Sequence, residues 1–248
     1  MIYDYKQGKK RIDEILDHKL EIIEQDKVPN ESEFTFSNGY LSWITAVFVD
    51  IRDSSVLCAD EDKEKVAKII KSFTSEIIEI LRQDDNLREI GIRGDCVYAI
   101  YTTSIKPEVY EIASKTFFVN TYLKMLNVML KERGLPTIKA GIGMSTAKEL
   151  VVKAGRKNVG INSQIWIGKA VSVASNLASL ANKNGIDACA YSAFSYDSFI
   201  EEMEEKNTNK KPREWFHYHW NEAVGGYYGG DIVKTKFNKW VEDGMPDE

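Results

Sequence analysis

Two acidic residues stand where rigid elements should end. Asp50 closes the run Val47-Phe48-Val49-Asp50-Ile51, and Asp95 follows Gly94 within Ile90-Gly91-Ile92-Arg93-Gly94-Asp95-Cys96-Val97-Tyr98-Ala99-Ile100-Tyr101. The first run is apolar enough for a buried strand and passes at once into Arg52-Asp53-Ser54-Ser55, whose Ser and Asp residues suit the cap of a following helix. The second reads as two short strands joined by a Gly-Asp turn, a hairpin signal. Two carboxylates fixed in this way can hold two divalent cations against a triphosphate. Hard cations take oxygen ligands, and Mg2+ uses only one or two carboxylates beside the substrate's phosphates. Taken separately, Asp50 also suits a helix N-cap and Asp95 a turn.

The elements that must position these acids follow from periodicity. A strand is predicted over 41–49, with helices over 61–83 and 107–133, the second stopped by Gly134-Leu135-Pro136. Strands at 137–145 and 150–155, a helix near 168–184 and a strand at 187–192 complete an α+β order. Residues 6–26 space Ile12, Ile15, Leu16, Leu20, Ile22 and Ile23 along one amphipathic helix, which packs on the domain or on a partner subunit. The polar stretch 25–38, with Pro29, reads as a linker. In the tail, 201–212 reads as a loop, Trp215-Phe216-His217-Tyr218-His219-Trp220 as a strand, Tyr227-Tyr228-Gly229-Gly230 as a turn and Ile232-Val233-Lys234 as a short strand. His217 and His219 share a strand face but lack a third metal ligand of matching spacing, so an aromatic sheet edge is the preferred reading. The chain thus divides into 1–40 (N-terminal helix and linker), 41–195 (core) and 196–248 (an extension packed on the same domain).

Composition bounds the rest. A chain of 248 residues with 43% hydrophobic and 29% charged residues can bury one proper core. No apolar run is long enough to span a bilayer, and the charged N-terminus has no signal-peptide profile, so a soluble, cytoplasmic protein is expected. Cys58, Cys96 and Cys189 have no metal-ligand spacing and no even count to pair, which suits a reducing setting. The net charge of −5 gives no support to nucleic-acid binding.

The segments around the two acids resemble the class III nucleotidyl cyclases. The first metal segment of that family has the form Phe-x-Asp-Ile followed closely by Ser or Thr, matched here by Phe48, Asp50, Ile51 and Ser54/Ser55, and Gly94-Asp95 matches the second. Ala140-Gly141-Ile142-Gly143-Met144-Ser145 with Val152-Lys153-Ala154-Gly155 is similar to the family's Gly-containing strand pair. Ile165-Trp166-Ile167-Gly168-Lys169-Ala170-Val171-Ser172-Val173-Ala174-Ser175-Asn176-Leu177 is similar to its Trp-Gly helix segment. The resemblance spans about 43–195. It implies a mainly antiparallel sheet with packed helices, a ferredoxin-like core, and intramolecular phosphoryl transfer in which a ribose 3′-hydroxyl attacks its own α-phosphate and pyrophosphate leaves. It further implies two Mg2+ or Mn2+ ions held by Asp50, Asp95 and the Ile51 carbonyl, phosphates received by the N–H groups of Arg52 to Ser55, and a head-to-tail homodimer with composite sites.

Base selection departs from the purine members. Four residues before the second metal aspartate they carry Lys or Glu, where this chain has Gly91, and the partner position of the Trp-Gly segment is Ile165. Alternation places Gly91, Arg93 and Asp95 on one side, so Arg93 is expected to lean over the space left by Gly91 and offer its guanidinium to a pyrimidine O2 or O4. In this the chain is most like the pyrimidine cyclases of Pycsar antiphage systems, whose cyclic UMP or cyclic CMP acts on a separate effector; UTP is favoured over CTP. The helix that normally supplies an Asn and a transition-state Arg carries Ser172 and Asn176 instead, with Lys169 and Lys183 as substitute cations and Lys234 as the expected γ-phosphate lysine. The alternatives are an adenylate or guanylate cyclase, or a catalytically degenerate nucleotide-binding sensor.

Overall fold

Burial runs almost continuously along the middle of β2 and the first half of β5, as it must in a sheet covered on both faces, and the computed structural model, which describes residues 3–60, 62–156 and 160–247, shows that sheet. In chain order the elements are α1 (Tyr5–Asp17), β1 (Glu21–Glu24), β2 (Asn38–Ile51), α2 (Ser54–Asp60), α3 (Lys63–Arg82), β3 (Leu87–Arg93), β4 (Cys96–Thr102), α4 (Lys106–Glu132), β5 (Ala140–Arg156), β6 (Ile161–Ile167), α5 (Ala170–Leu180), β7 (Cys189–Ser192), α6 (Ala193–Glu205), β8 (Phe216–Asn221), β9 (Gly225–Gly230) and α7 (Thr235–Glu242). The strand order is β3-β4-β2-β5-β7-β9-β8, with β1 beside β2 and β6 beside β5. Only β1 on β2 and β5 on β7 are parallel among the described pairings, so the α+β, mainly antiparallel architecture holds.

Val47, Val49 and Ile51 of β2 and Val97, Ala99 and Tyr101 of β4 point to one face, where Ile69, Phe73, Ile77 and Leu81 of α3, the buried side of α4 and Phe199 of α6 complete the main core. Ile44, Ala46, Phe48, Tyr98 and Ile100 point to the other face, which α5 covers through Ala170 and Ala174. The glycines of β5 let α5 lie directly on the strand. A Cβ on Gly141 would run into the Ala178 carbonyl, and one on Gly143 into the Ala174 carbonyl.

Several sequence expectations are corrected. The helix over 6–26 stops at Asp17, and Glu21–Glu24 pairs with β2 instead, because Ile22 and Ile23 are β-branched and sit beside an open strand edge. Within 25–38 a short 3₁₀ turn, Glu31–Glu33, intervenes, and Val28 and Phe34 are buried. The strands at 137–145 and 150–155 are one element, β5, carried by its long ladder with β2. Ile165, Trp166 and Ile167 lie on β6, and α5 is shorter than the helix over 168–184. In the tail, part of the 201–212 loop is the end of α6. The predicted turn at 227–230 is strand β9, whose Gly226 and Gly230 are covered by aromatic rings of β8, while 232–234 is not a strand and leads into α7. Glu61 and the Cys58 side chain lie outside the described residues.

No described helix is long and apolar enough to cross a membrane.

Candidate active site

Asp50 and Asp95 are brought together by the β2–β4 ladder. Asp50 pairs across the strands with Cys96, and Asp95 is the next residue, in the turn opened by Gly94 at φ +64. Asp50 shares a face with Phe48 and Ala46 and therefore looks toward α5. Burial holds its carboxyl above the ordinary value; the Arg52 guanidinium beside it works downward and the charge of Asp95 upward again. Among the described residues no group of three or more His, Cys, Asp or Glu converges anywhere. A divalent metal at this corner would draw on two mutually repelling carboxylates and the Ile51 carbonyl, leaving its other positions to water and phosphate, and this donor set suits Mg2+ or Mn2+.

The Arg52 side chain is a component that sequence reasoning missed. Its backbone N–H, expected to meet phosphate, donates to the Lys139 carbonyl at 2.7 Å. Its guanidinium instead donates to Asp50 Oδ2 at 3.2 Å, to the Ser179 carbonyl at 2.9 Å and to the Ala178 carbonyl. A cation thus closes the carbonyl end of α5, where the helix dipole is negative, and touches the candidate metal ligand at the same time. Ser54 and Ser55 open α2, with Ser54 half-buried and Ser55 exposed. Asp53, at φ +53, accepts the N–H groups of Val56 and Leu57 through its carbonyl oxygen.

Helix α5 is anchored at its other end by Glu149, a fully buried carboxylate on β5. Its Oε1 accepts the Ala170 N–H, and Val171 contributes a second backbone bond. Gly168 is required there, since a Cβ would lie 2.8 Å from Glu149 Cγ. Ser172 and Asn176 fall on the exposed side of α5, four residues apart, and the Ser172 hydroxyl turns back to the Gly168 and Lys169 carbonyls. No hydrogen bond joins either side chain to Asp50 or Asp95 of the same chain among the described residues. Lys169 and Lys183 are exposed near opposite ends of the helix.

On the neighbouring hairpin, Gly91 pairs with Tyr98 and Arg93 with Cys96, so Gly91 and Arg93 do share the face of Asp50. Tyr98, not Arg93, fills the space that Gly91 leaves: a Cβ at Gly91 would be 2.7 Å from the Tyr98 hydroxyl oxygen. The physical reason is that the directly opposed cross-strand residue is nearer than one two places along the same strand. Tyr98 donates to Glu89 Oε1 at 2.7 Å, Trp166 Nε1 donates to Glu89 Oε2 at 2.6 Å, and Phe48 stacks on Tyr98 with ring centres 5.4 Å apart. Burial, with the carboxylate next in importance, pushes the Tyr98 phenol up to about 12, so it stays a neutral donor. Sequence reasoning missed Tyr98 and Glu89, although counting register outward from Gly94-Asp95 sets Tyr98 opposite Gly91.

Two expected residues are elsewhere. Trp166 reaches inward to Glu89, so its neighbour Ile165 points to the other side of β6 and is 46% exposed; it does not meet Gly91 within the chain. Lys234 is held on α4, where its ammonium donates to Ser114 Oγ at 2.5 Å and lies over the Phe118 ring, on the sheet face opposite α5. His217 bonds to Asp187 at 3.0 Å and His219 stacks on Tyr227, as a sheet edge requires.

Comparison with known proteins agrees with this geometry. The profile of the adenylate and guanylate cyclase catalytic domain matches residues 39–210. A protein of Treponema porcinum named uridylate cyclase is 45% identical over 247 residues, covering 100% of this chain and 84% of that protein. A second protein of that name, from Gulbenkiania mobilis, is 29% identical over 252 residues, covering 97% and 96%. The crystal structure of the adenylyl cyclase CyaB from P. aeruginosa superposes with a TM-score of 0.61 at 17% identity, over 77% of this chain and 95% of that one.

Proposed function

The chain belongs to the adenylate and guanylate cyclase catalytic-domain family, and from that premise we propose that it is a pyrimidine nucleotide cyclase that converts UTP to 3′,5′-cyclic UMP and pyrophosphate. The observation that carries the base assignment is Tyr98 packed against Gly91. The position from which a purine would be read has no side chain, and the room beside it is occupied by a phenol ring fixed by Glu89 and Phe48. The space beside such a ring suits a single-ring base better than a double-ring one. Arg93, exposed on the same face, offers donors to the carbonyls of uracil. The name of the 45% identical relative supports the same assignment and the preference for UTP over CTP.

In this reading Asp50, Asp95 and the Ile51 carbonyl hold two divalent cations, which when bound would neutralise the triphosphate and make the 3′-hydroxyl a better nucleophile. The chain's own residues do the positioning. The β2–β4 ladder fixes the two carboxylates, and α5 is fixed by its close approach to Gly141 and Gly143, by Glu149 at its start and by Arg52 at its end. New O–P bond formation at the α-phosphorus expels pyrophosphate, and the hydroxyl proton leaves to solvent. Ser172 and Asn176, exposed on α5, serve the site of a second copy in a head-to-tail homodimer; Ser54 and Ser55 flank the phosphates. With Asn176 where the family has Arg, Arg52 is the guanidinium already in contact with Asp50. The resemblance to Pycsar cyclases supports a role in antiphage signalling through a separate effector.

The test is incubation of the purified chain with ATP, GTP, CTP or UTP and Mn2+, products identified by mass, with Asp50→Ala as control. Cyclic UMP absent from the control is the expected result. Equal or better turnover of ATP would defeat the pyrimidine reading.

A further inference from the structure

The residues of the tail that the catalytic corner does not use converge on the opposite side of the molecule. A cleft of about 630 Å³ opens between α4, α6 and the segment 231–235, within the usual range of small-molecule sites. Its walls are fixed in advance. The buried Asn120 amide donates to Asp231 at 2.7 Å and to the Ile232 carbonyl at 2.9 Å, and the Lys234 N–H donates to the buried Thr121 hydroxyl at 2.9 Å. These bonds aim the Lys234 side chain along α4.

Three lysines line the cleft, each with its ammonium over an aromatic ring: Lys206 at 4.9 Å from Tyr110, Lys210 at 5.7 Å from Trp215 and Lys234 at 4.5 Å from Phe118. Lys206 is already neutralised by Glu202 at 3.1 Å. Of the lining carboxylates, Asp187 is hydrogen-bonded to His217 and Asp231 is paired with Lys124. Lys210 and Lys234 have no ion-pair partner among the described residues. Lys234 is half-buried: desolvation works most strongly against its charge, Glu111 favours it, and the nearby Lys206 opposes it again. Ammonium groups that line one cleft and lack an ion-pair partner are stabilised by an incoming anion, and phosphate oxygens accept several ammonium donors at once.

We propose that this cleft is a second ligand site, distinct from the carboxylate corner, that binds a phosphate-bearing small molecule through Lys234 and Lys210. Its aromatic walls accommodate a planar group attached to the phosphate, so free phosphates and nucleotides are the two sources to separate. The assignment does not depend on which triphosphate the chain cyclises.

The experiment uses the full-length Asp50→Ala chain with divalent metal chelated, which silences the carboxylate corner, and calorimetric titration with pyrophosphate, UMP and phosphate-free uridine. Pyrophosphate and UMP should bind while uridine does not; tighter UMP would identify a nucleotide as the source, and tighter pyrophosphate an inorganic ligand. Lys234→Met, which keeps the contact with the rings, should weaken binding about tenfold or more with an unchanged thermal midpoint. Lys210→Ala provides a second variant should Lys234→Met fold poorly, with a loss of the same sign. Binding unaffected by both substitutions, or no binding of either phosphate up to about 10 mM, overturns the site.

Discussion

The two faces of the sheet are built to different rules. Toward α3, α4 and α6 the strands present Val47, Val49, Ile51, Val97, Ala99 and Tyr101, and the helices answer with Ile69, Phe73, Ile77, Leu81 and Phe199, a continuous apolar core. Toward α5 the same strands present Asp50, Gly91, Tyr98, Gly141 and Gly143, and the covering helix is rich in Ala and Ser. This side gives up apolar burial for close backbone approach, a buried carboxylate at Glu149 and a guanidinium at Arg52. Sequences depart from the most stable packing where a site must be shaped, and those around Asp50 lie on the α5 face, while the other face keeps a hydrogen-bonded hydroxyl cluster of Thr45, Thr103, Thr146 and Ser195.

The largest effect should separate the faces outright. Asp50→Ala or Asp95→Ala is expected to lower cyclase turnover by about a thousandfold or more with little change in thermal midpoint, since each removes a carboxylate proposed to bind metal from a partly exposed corner. Near-normal turnover in either would detach the corner from the chemistry. If Ser172 and Asn176 serve the partner's site, mixing Asp50→Ala with Asn176→Ala should restore activity from two inactive preparations, to about a quarter of wild type for random pairing with one intact site per mixed dimer. No recovery on mixing would count against shared sites.

Packing substitutions should dissociate in the opposite sense. Phe73→Ala, on the core face, is expected to cost about 3–5 kcal/mol in denaturant unfolding while leaving turnover per folded molecule unchanged. Gly143→Ala drives a methyl group into α5, and should cost about 1–3 kcal/mol yet reduce turnover more than Phe73→Ala does. The reverse ranking of turnover would mean that α5 is only a cover.

Glu149 gives the smallest effect, and it depends on pH. Burial holds this carboxyl above its ordinary value despite the two helix N–H groups bonded to it. Its contribution to stability is therefore present below the unfolded carboxylate range and lost as pH rises through the raised value. Glu149→Gln, which keeps an acceptor for α5, should gain on the wild type by about 1 kcal/mol between pH 4 and pH 7, measured by urea unfolding. A difference that does not vary with pH would contradict the origin assigned here.

Much of this face was legible because its signals are local. A strand that ends on an acid before Ser-Ser, and a Gly-Asp turn between alternating runs, place Asp50 and Asp95 without tertiary information. Tyr98 escaped because its role comes from cross-strand register, and the Arg52 side chain because its partners, Ala178 and Ser179, lie far along the sequence. Strand β9 reads as a turn in the sequence because Gly225–Gly230 is poor in strand formers. What makes it a strand is the opposite chain, where Tyr218 and Phe216 lay their rings over Gly226 and Gly230. Helix α6 did carry a readable signal in Tyr196, Phe199, Ile200 and Met203 at helical spacing. Lys234 is held on α4, away from the Asp50 corner where the resemblance places a γ-phosphate lysine, since a lone lysine in a tail has no pattern to place it.

The account turns most directly on the ratio of kcat/KM for UTP to that for ATP, measured in the wild type and in Tyr98→Ala. The wild type should favour UTP, and removal of the ring beside Gly91 should lower the ratio by about ten to a hundredfold as the larger base gains room. A ratio that favours ATP in the wild type, or one that Tyr98→Ala leaves unchanged, would contradict the claim that this face selects a pyrimidine.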